Sequence, residues 1–394
     1  MHWVKCSPLV FQRVGCMFSI IIICVIWLCL SSCVPNEPGI PVGKNATADK
    51  PQSKVWYEDG SWWCILDDGQ ESSWFYRLEG KFWRKATFED ASVYRGSSTR
   101  ADVLSASNSL YVLVWEAENT RFFKYRYYKR DRSYSLEKGF PVEIDLIAGH
   151  ETASFALDSR EVLWITYEAE GKVYISWSET GLDWQQNEVL GSSLKDDDIS
   201  SVISFDNQVG VFWSNQKTES LHFRVREDSD SSKNWKVEES VVQGGLVADD
   251  HVNLATAEGL VYAATKTSVD DGQGKVVGPT QAQIILNVRS KEGVWAVYDV
   301  APLSSENVTR PIVVLDDENH EVYVFYRKGD EIVYKRSSLA EIDFSGDPSV
   351  AIEVEGVTLN NVTSTKQNVS SKTGLLVLAT GDDDRAYHRL LPIH

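Results

Sequence analysis

The sequence predicts an all-β fold, a β-propeller of seven blades, and three observations predict it. From about Val55 to the C-terminus, short runs rich in Val, Ile, Tyr, Trp and Phe alternate with turns of Asp, Asn, Gly and Ser, with no helical period. The runs come in repeated groups: a first strand, a tight turn, an apolar second strand, another turn and an alternating third strand. Beyond the third strands an aromatic recurs at Phe88, Tyr134, Trp184, Trp235, Trp295 and Phe344, in steps of 46, 50, 51, 60 and 49. A period near 50, with three or four strands per unit, is what propeller blades need, because each small sheet must cover its apolar faces with its neighbours. Six or eight blades are also compatible with the count.

Taken in order, the units are readable along most of the chain. In the first, 74–78 and 81–87 flank a turn much like the one between Tyr326 and Glu331. The second gives 103–106, 110–115 and 121–128; the third 153–157, 162–167 and 172–176. The fourth gives 202–205, 209–213 and 221–226, and the sixth 312–315, 322–326 and 331–336. In the fifth, 252–255, 260–265 and 282–288 are interrupted by a polar insertion at 268–280, which accounts for the long step of 60. Second strands such as 110–115 are apolar on both faces, as expected where blades lie on both sides. The seventh unit runs from Asn361 to the C-terminus and lacks a clear fourth strand, which 55–57 is expected to supply, closing the ring.

The N-terminus has a different character. Lys5 and Arg13 are the only charged side chains before an uncharged run at 14–30. That run is short for a bilayer span but long enough for a secretory signal core. It ends in Leu30-Ser31-Ser32-Cys33, which resembles a bacterial lipobox. The resemblance implies cleavage after residue 32, acylation (palmitate) of Cys33 and a membrane anchor in the cell envelope. With Val34 in place of Asp after the cysteine, it implies the outer membrane if the cell is Gram-negative. An uncleaved signal anchor is the alternative, and N-x-S/T sequons at Asn45, Asn307, Asn361 and Asn368 keep a eukaryotic secretory reading open. All three export the domain. Residues 33–53, rich in proline and small polar residues, read as the lipidated cysteine and a flexible tether, and 54–394 as the propeller.

After Cys33 only Cys64 remains, so the domain has neither an internal disulfide nor a cysteine-based zinc site. Without residues 1–32 the chain carries 37 basic against 57 acidic residues, a net charge of −20. Such a surface repels nucleic acid and anionic lipid, which excludes DNA and RNA as partners.

Two turns carry a family resemblance. Trp177-Ser178-Glu179-Thr180-Gly181-Leu182-Asp183-Trp184 and Asp228-Ser229-Asp230-Ser231-Ser232-Lys233-Asn234-Trp235 resemble the Asp-box (BNR repeat) of sialidase-like propellers. The resemblance implies a structural device. The carboxylate of Glu179 or Asp230 would accept backbone N–H groups across a hairpin, Gly181 would allow positive φ, and Trp184 and Trp235 would pack between sheets. The family's early Phe-Arg-Ile-Pro motif is absent, so only the box positions carry over.

Aligning the blades places Arg100, His150, Asp198, Asp250, His251 and Arg310 at the starts of inner strands, around the mouth of the central channel. Mixed Arg, His and Asp on one funnel suit a polyol or a carboxylate, since Arg pairs bidentately with carboxylates. The acidic turns at 67–69, 196–198, 270–272 and 382–384 lack the alternating ligand spacing of a calcium loop, so no metal site and no cofactor is expected. Trp56, Trp62 and Trp63 either seal the closing blade or form an exposed sugar platform. The function these features suggest is a membrane-anchored exported propeller that binds a glycan or a protein. Two alternatives stand beside it. One is a sialidase-like glycoside hydrolase that uses Arg100 and Arg310 in a carboxylate clamp, and the other is a scaffold for envelope assembly.

Overall fold

The computed structural model describes residues 39–48, 50–70, 72–95, 100–116, 119–149, 152–271 and 282–393. The expected signal peptide, Cys33, His150 and most of the 268–280 insertion lie outside them. Every regular element among these residues is a β-strand, and no helix there is long and apolar enough to cross a membrane. The strands form seven antiparallel sheets, the seven blades of a propeller. The inner strands, in chain order, are Val55–Glu58, Ala101–Ala106, Ala153–Leu157, Ser200–Phe205, Val252–Ala257, Thr309–Asp316 and Leu359–Thr363. In the first two blades an extra strand, Ser92–Arg95 or Val142–Ile144, pairs with the third strand.

The aromatic period has a packing cause. Trp184 of the third blade lies against Phe122 of the second, with ring centroids 5.3 Å apart. Trp235 of the fourth meets Trp164 of the third at 5.9 Å, and Trp295 of the fifth meets Phe212 and Phe223 of the fourth at 5.8 and 5.3 Å. Blades three to five thus each place one large ring on the blade before, where edge-to-face contact adds to apolar burial. Second strands serve two interfaces at once: Leu110, Val112 and Val114 pack toward the first blade, Leu113 and Trp115 toward the third. Trp56 and Trp63 are buried on the second-blade side of the first blade, and Trp62 on its seventh-blade side. They seal the ring.

Near the channel a second belt joins the blades through hydrogen bonds. The Asp102 carboxylate accepts the Phe155 N–H at 3.0 Å, the Ser154 hydroxyl accepts the Val202 N–H at 3.2 Å, and the Asn253 amide oxygen accepts the Val313 N–H at 3.0 Å. The Thr363 hydroxyl accepts the Lys54 N–H at 3.3 Å, and the Ser53 carbonyl accepts the Val103 N–H at 2.9 Å. In each case a polar group of one blade holds the backbone of the next.

The closure differs from expectation. In the first blade, Ser72–Glu79 and Phe82–Lys85 are the third and fourth strands, and Val55–Glu58 is the inner one. The strand that completes the seventh blade is Ile40–Pro41, which pairs with Arg385–Leu391 in the register Ile40↔Ala386 and Pro41↔Arg385. Residues from Gly39 on are therefore part of the ring and not a tether. Val42 and Ala46 are buried in the core shared with the seventh blade. Thr47 meets Thr380 through its hydroxyl at 2.7 Å and its N–H at 3.0 Å. Gly39 runs so close to the Tyr387 ring that a Cβ there would come within 2.5 Å of it. Proline and glycine here mark an edge strand and a close approach, compositions that a linker shares.

A chain that begins at Lys54 should unfold about 10 °C below the full chain. It loses roughly 5 kcal/mol of apolar burial and hydrogen bonding, at about 2 °C per kcal/mol for a domain of this size. Equal melting temperatures in a thermal scan would show that the first strand does not hold the ring.

Candidate functional site

All seven inner strands begin on one rim, and residues 50–53 form a strap across the channel mouth there. The Lys50 ammonium pairs with the Asp250 carboxylate on the fifth blade, and the Pro51 carbonyl accepts the Asn253 amide at 3.3 Å. The Gln52 carbonyl accepts the Thr363 hydroxyl at 3.4 Å on the seventh blade, and the Ser53 N–H donates to Asp102 at 3.0 Å on the second. Behind the strap lies a cavity of about 140 Å³ walled by inner strands, with Phe155, Leu254 and Ile312 beside Ser201, Asn253 and Lys366. Lys366 reaches into it, 2.5 Å from Asp102 Oδ2 and 2.7 Å from the Phe155 carbonyl. At the far end a loop of the seventh blade crosses the channel, where the Asn368 amide donates to the Thr256 carbonyl and to Asp317, all at 2.9 Å. Asn361 is buried. Of the four sequons, Asn45 and Asn307 are the exposed ones.

On the strap side, charge gathers at the fifth and sixth blades. Asp249, Asp250 and His251 immediately precede the inner strand Val252–Ala257. His251 Nδ1 faces both carboxylates, with Asp249 at 2.9 Å. Its Nε2 meets the Arg310 Nη1 at 3.0 Å, and since a guanidinium can only donate, the imidazole proton sits on Nδ1. Lys266 binds Asp249 at 2.6 Å and Asp270 at 3.1 Å. Burial opposes ionisation of Asp250, but contacts to His251 and Lys50 outweigh it and hold its carboxyl far below the ordinary range. The three consecutive residues also bring ligand atoms within 4.8 Å of one another, a spacing a metal ion could use. Two ammonium groups already hold those carboxylates.

Arg310 is the unbalanced member. It sits half-buried at φ 57°, within the irregularity that separates Thr309 from Ile312 in the strand pairing. Its Nε is buried without a hydrogen-bond partner, and no carboxylate among the described residues pairs with it. Arg327, on the neighbouring strand, donates its Nε to the Gly329 carbonyl at 2.8 Å. Burial, and next the charge of Arg310, lower the Arg327 pKa. Two cations thus face one corner of the mouth, beside a recess of about 20 Å³ lined by Thr47, Lys50, Arg310 and Asn361. Asp330 and Asp382 act on Arg327, which leaves Arg310 as the cation without a carboxylate pair among the described residues.

Of the residues expected at the mouth, Asp250, His251 and Arg310 come together. Arg100 stands half-buried at the start of the second blade's inner strand, its carbonyl accepting the Trp115 N–H at 3.1 Å. Asp198 is fully buried and serves its own turn, accepting the Lys195 N–H at 2.7 Å, the Gln216 N–H at 2.9 Å and the Ser214 hydroxyl at 3.0 Å. Desolvation raises its pKa above the ordinary value. Lys50, Asp249, Lys266 and Arg327 were not among the expected residues. Lys50 belongs to the segment read as a tether, and its partner Asp250 is 200 positions away.

The Asp-box-like turns use other anchors than expected. Glu179 is exposed, and the Ser178 hydroxyl accepts the Gly181 N–H at 2.8 Å. Gly181 does take positive φ, 79°, and the Trp184 indole donates to its carbonyl at 3.0 Å. In the second turn buried Asp228 accepts the Ser159 hydroxyl of the third blade at 2.6 Å, while Asp230 takes only the nearby Asn234 amide at 2.9 Å.

Compared with known protein families the chain matches none, and no curated protein matches it in sequence. Among solved structures, a polysaccharide lyase, an ulvan lyase bound to -[GlcA(1-4)Rha3S]-, superposes with a TM-score of 0.60 at 9% identity, covering 90% of this chain and 96% of the lyase. A second ulvan lyase structure gives 0.58 at 9% over the same shares. The SapL1 lectin in complex with alpha methyl fucoside gives 0.48 at 11% identity over 76% of this chain and 94% of the lectin. At such identities the likeness to the lyase is one of fold: the chain is a seven-bladed β-propeller.

Replacing Lys50 by Gln leaves Asp250 without its ammonium and should destabilise the protein by about 1–3 kcal/mol at pH 7. Because contacts to His251 and Lys50 hold the folded Asp250 carboxyl far below the ordinary range, it stays ionised at pH 3, and the Lys50 contribution is lost only as pH falls through that depressed value. Parallel denaturant titrations of parent and variant at pH 7 and pH 3 should therefore give the same difference. A difference that vanishes by pH 3 would show that the Asp250 carboxyl is not held so low.

Proposed function

We propose that this chain is an exported binding propeller, held to a membrane of the cell envelope through acylated Cys33, that takes a carboxylate- or sulfate-bearing glycan at the channel mouth. The observation that carries the reading is Arg310. It is a half-buried guanidinium on left-handed backbone, steered by His251 and lacking a carboxylate among the described residues. Backbone strain of this kind persists where surrounding structure imposes it, and it is often found at ligand sites. The saccharide bound to the ulvan lyase that shares the fold, GlcA(1-4)Rha3S, is a sensible first probe.

Hydrolysis needs an acid and a base set apart around a bond. At this mouth Asp249 and Asp250 are tied to Lys266 and Lys50, and the strap occupies the space that a substrate held jointly by Arg100 and Arg310 would fill. Binding without turnover is the reading this geometry supports best. Sialidase-like ancestry rests on the two turns alone.

In calorimetry with the GlcA(1-4)Rha3S oligosaccharide, Arg310→Gln should weaken binding about 10- to 100-fold, the worth of one charge-assisted pair, while Arg100→Ala changes it less than about twofold. Equal affinity of the Arg310 variant and the parent would remove the site, and saccharide cleavage during the titration would restore the hydrolase. For the anchor, Cys33→Ser should abolish palmitate incorporation and release the chain from the membrane fraction. A variant that stays in that fraction would point to an uncleaved anchor.

A further inference from the structure

The acidic chain contains one basic sector. Between Arg77 and Arg132 lie twelve Lys and Arg against seven Asp and Glu, an excess of five positive charges within a net charge of −18. This stretch forms the outer half of the first blade and most of the second. Between the two blades is a groove of about 500 Å³. It opens on the rim where the inner strands end, since it is bordered by Glu79, at the end of the first blade's third strand, and by the 131–133 hairpin of the second. Arg310 lies on the other rim.

The groove's charges are unevenly satisfied. Lys85 is taken up by Asp68 at 2.7 Å and lies 3.8 Å over the Trp74 ring. Arg77 pairs with the half-exposed Glu79 and lies 5.5 Å over the Trp63 ring. Arg84 and Arg132 are exposed and form no close ion pair among the described residues; Glu79, which both of them act on, is already paired with Arg77, and Asp131 also borders the groove. Arg132 is also held at φ 47°, an unusual backbone for a long side chain. Trp63, another lining residue, is 1% exposed, and its indole N–H, like those of Trp74, Trp83 and Trp235, finds no acceptor among the described residues. Buried N–H groups are nearly always paired, so an orphan donor on the wall of a cationic groove points to an acceptor supplied from outside.

We propose that this groove is a second ligand site, which takes a sulfate or carboxylate group of an acidic polysaccharide between Arg84 and Arg132, with the Trp63 indole as a further donor. Its volume suits one or two sugar units. An anionic bilayer or a duplex would bring like charge against the acidic remainder of the ring, which favours a narrow, locally charged chain. The site stands apart from the channel mouth and does not depend on it.

The test is calorimetry of the full chain in mild detergent with sulfated dextran oligosaccharide, with uncharged dextran and with phosphatidylglycerol vesicles. The sulfated saccharide should bind with an affinity that falls steeply with salt. Arg84→Gln combined with Arg132→Asn, the latter tolerant of left-handed backbone, should weaken it at least tenfold. Trp63→Phe, which also removes packing against Trp56 and Tyr134, should weaken it a few-fold when compared at a temperature where the variant is fully folded, and Arg310→Gln should leave it unchanged. The proposal is overturned if the double variant binds sulfated dextran as the parent does, if uncharged dextran binds equally well, or if only the vesicles bind. Loss on Arg310→Gln but not in the double variant would overturn it in favour of the channel mouth.

Discussion

The carboxylate of Asp102 is the point on which the ring depends. It is fully buried, and its two oxygens receive the Ser53 N–H of the first blade, the Phe155 N–H of the third and the Lys366 ammonium of the seventh. A buried carboxylate left alone would be strongly unfavourable, whereas one with an opposite charge and backbone donors is stable only in the assembled geometry. The group therefore rewards a single arrangement of four blades. It also fixes the start of the first blade, because Ser53 immediately precedes the residues that enter the inner strand.

From that point the strap at 50–53 follows. With Ser53 held on the second blade and Lys50 on the fifth, the intervening residues have no path except across the channel mouth. The same crossing consumes the charge of Asp250 and leaves Arg310 without a carboxylate. The chemistry at the mouth is thus a by-product of how the chain closes its ring. Structure and candidate site share one set of residues there.

Much of this was legible in the sequence, and the exceptions have physical reasons. The inner, second and third strands of blades two to six could be read because each blade repeats one packing problem, solved each time with a large ring on the preceding blade. The first blade was misaligned by one strand because its marker, Phe88, follows the fourth strand and packs against its own Phe75 as well as Tyr134. Residues 39–53 were misread because proline and glycine suit an edge strand as well as a linker. Position along an inner strand named Asp250, His251 and Arg310, which the fold brings together. The Asp198 side chain, at an equivalent position, turns back to its own loop. The belt of Asp102, Ser154 and Asn253 had a sequence signal, a polar residue second in each inner strand, that the aromatic period overshadowed; Thr363, last in its strand, lacked that signal.

The closing strand has a mechanical consequence. Ile40–Pro41 has only two residues in register with its partner strand, and among the described residues it is the first element that tension from the N-terminal side would reach. Such a strand peels one pair at a time, so it resists little force. Once it is free, the load meets the backbone bonds of Val42 and Gly43 and the Thr47–Thr380 contact, and after these Lys50 and its ion pair with Asp250. A pull at the N-terminus is therefore delivered to the channel mouth, and the same short segment that fastens the ring is the lever by which it would open.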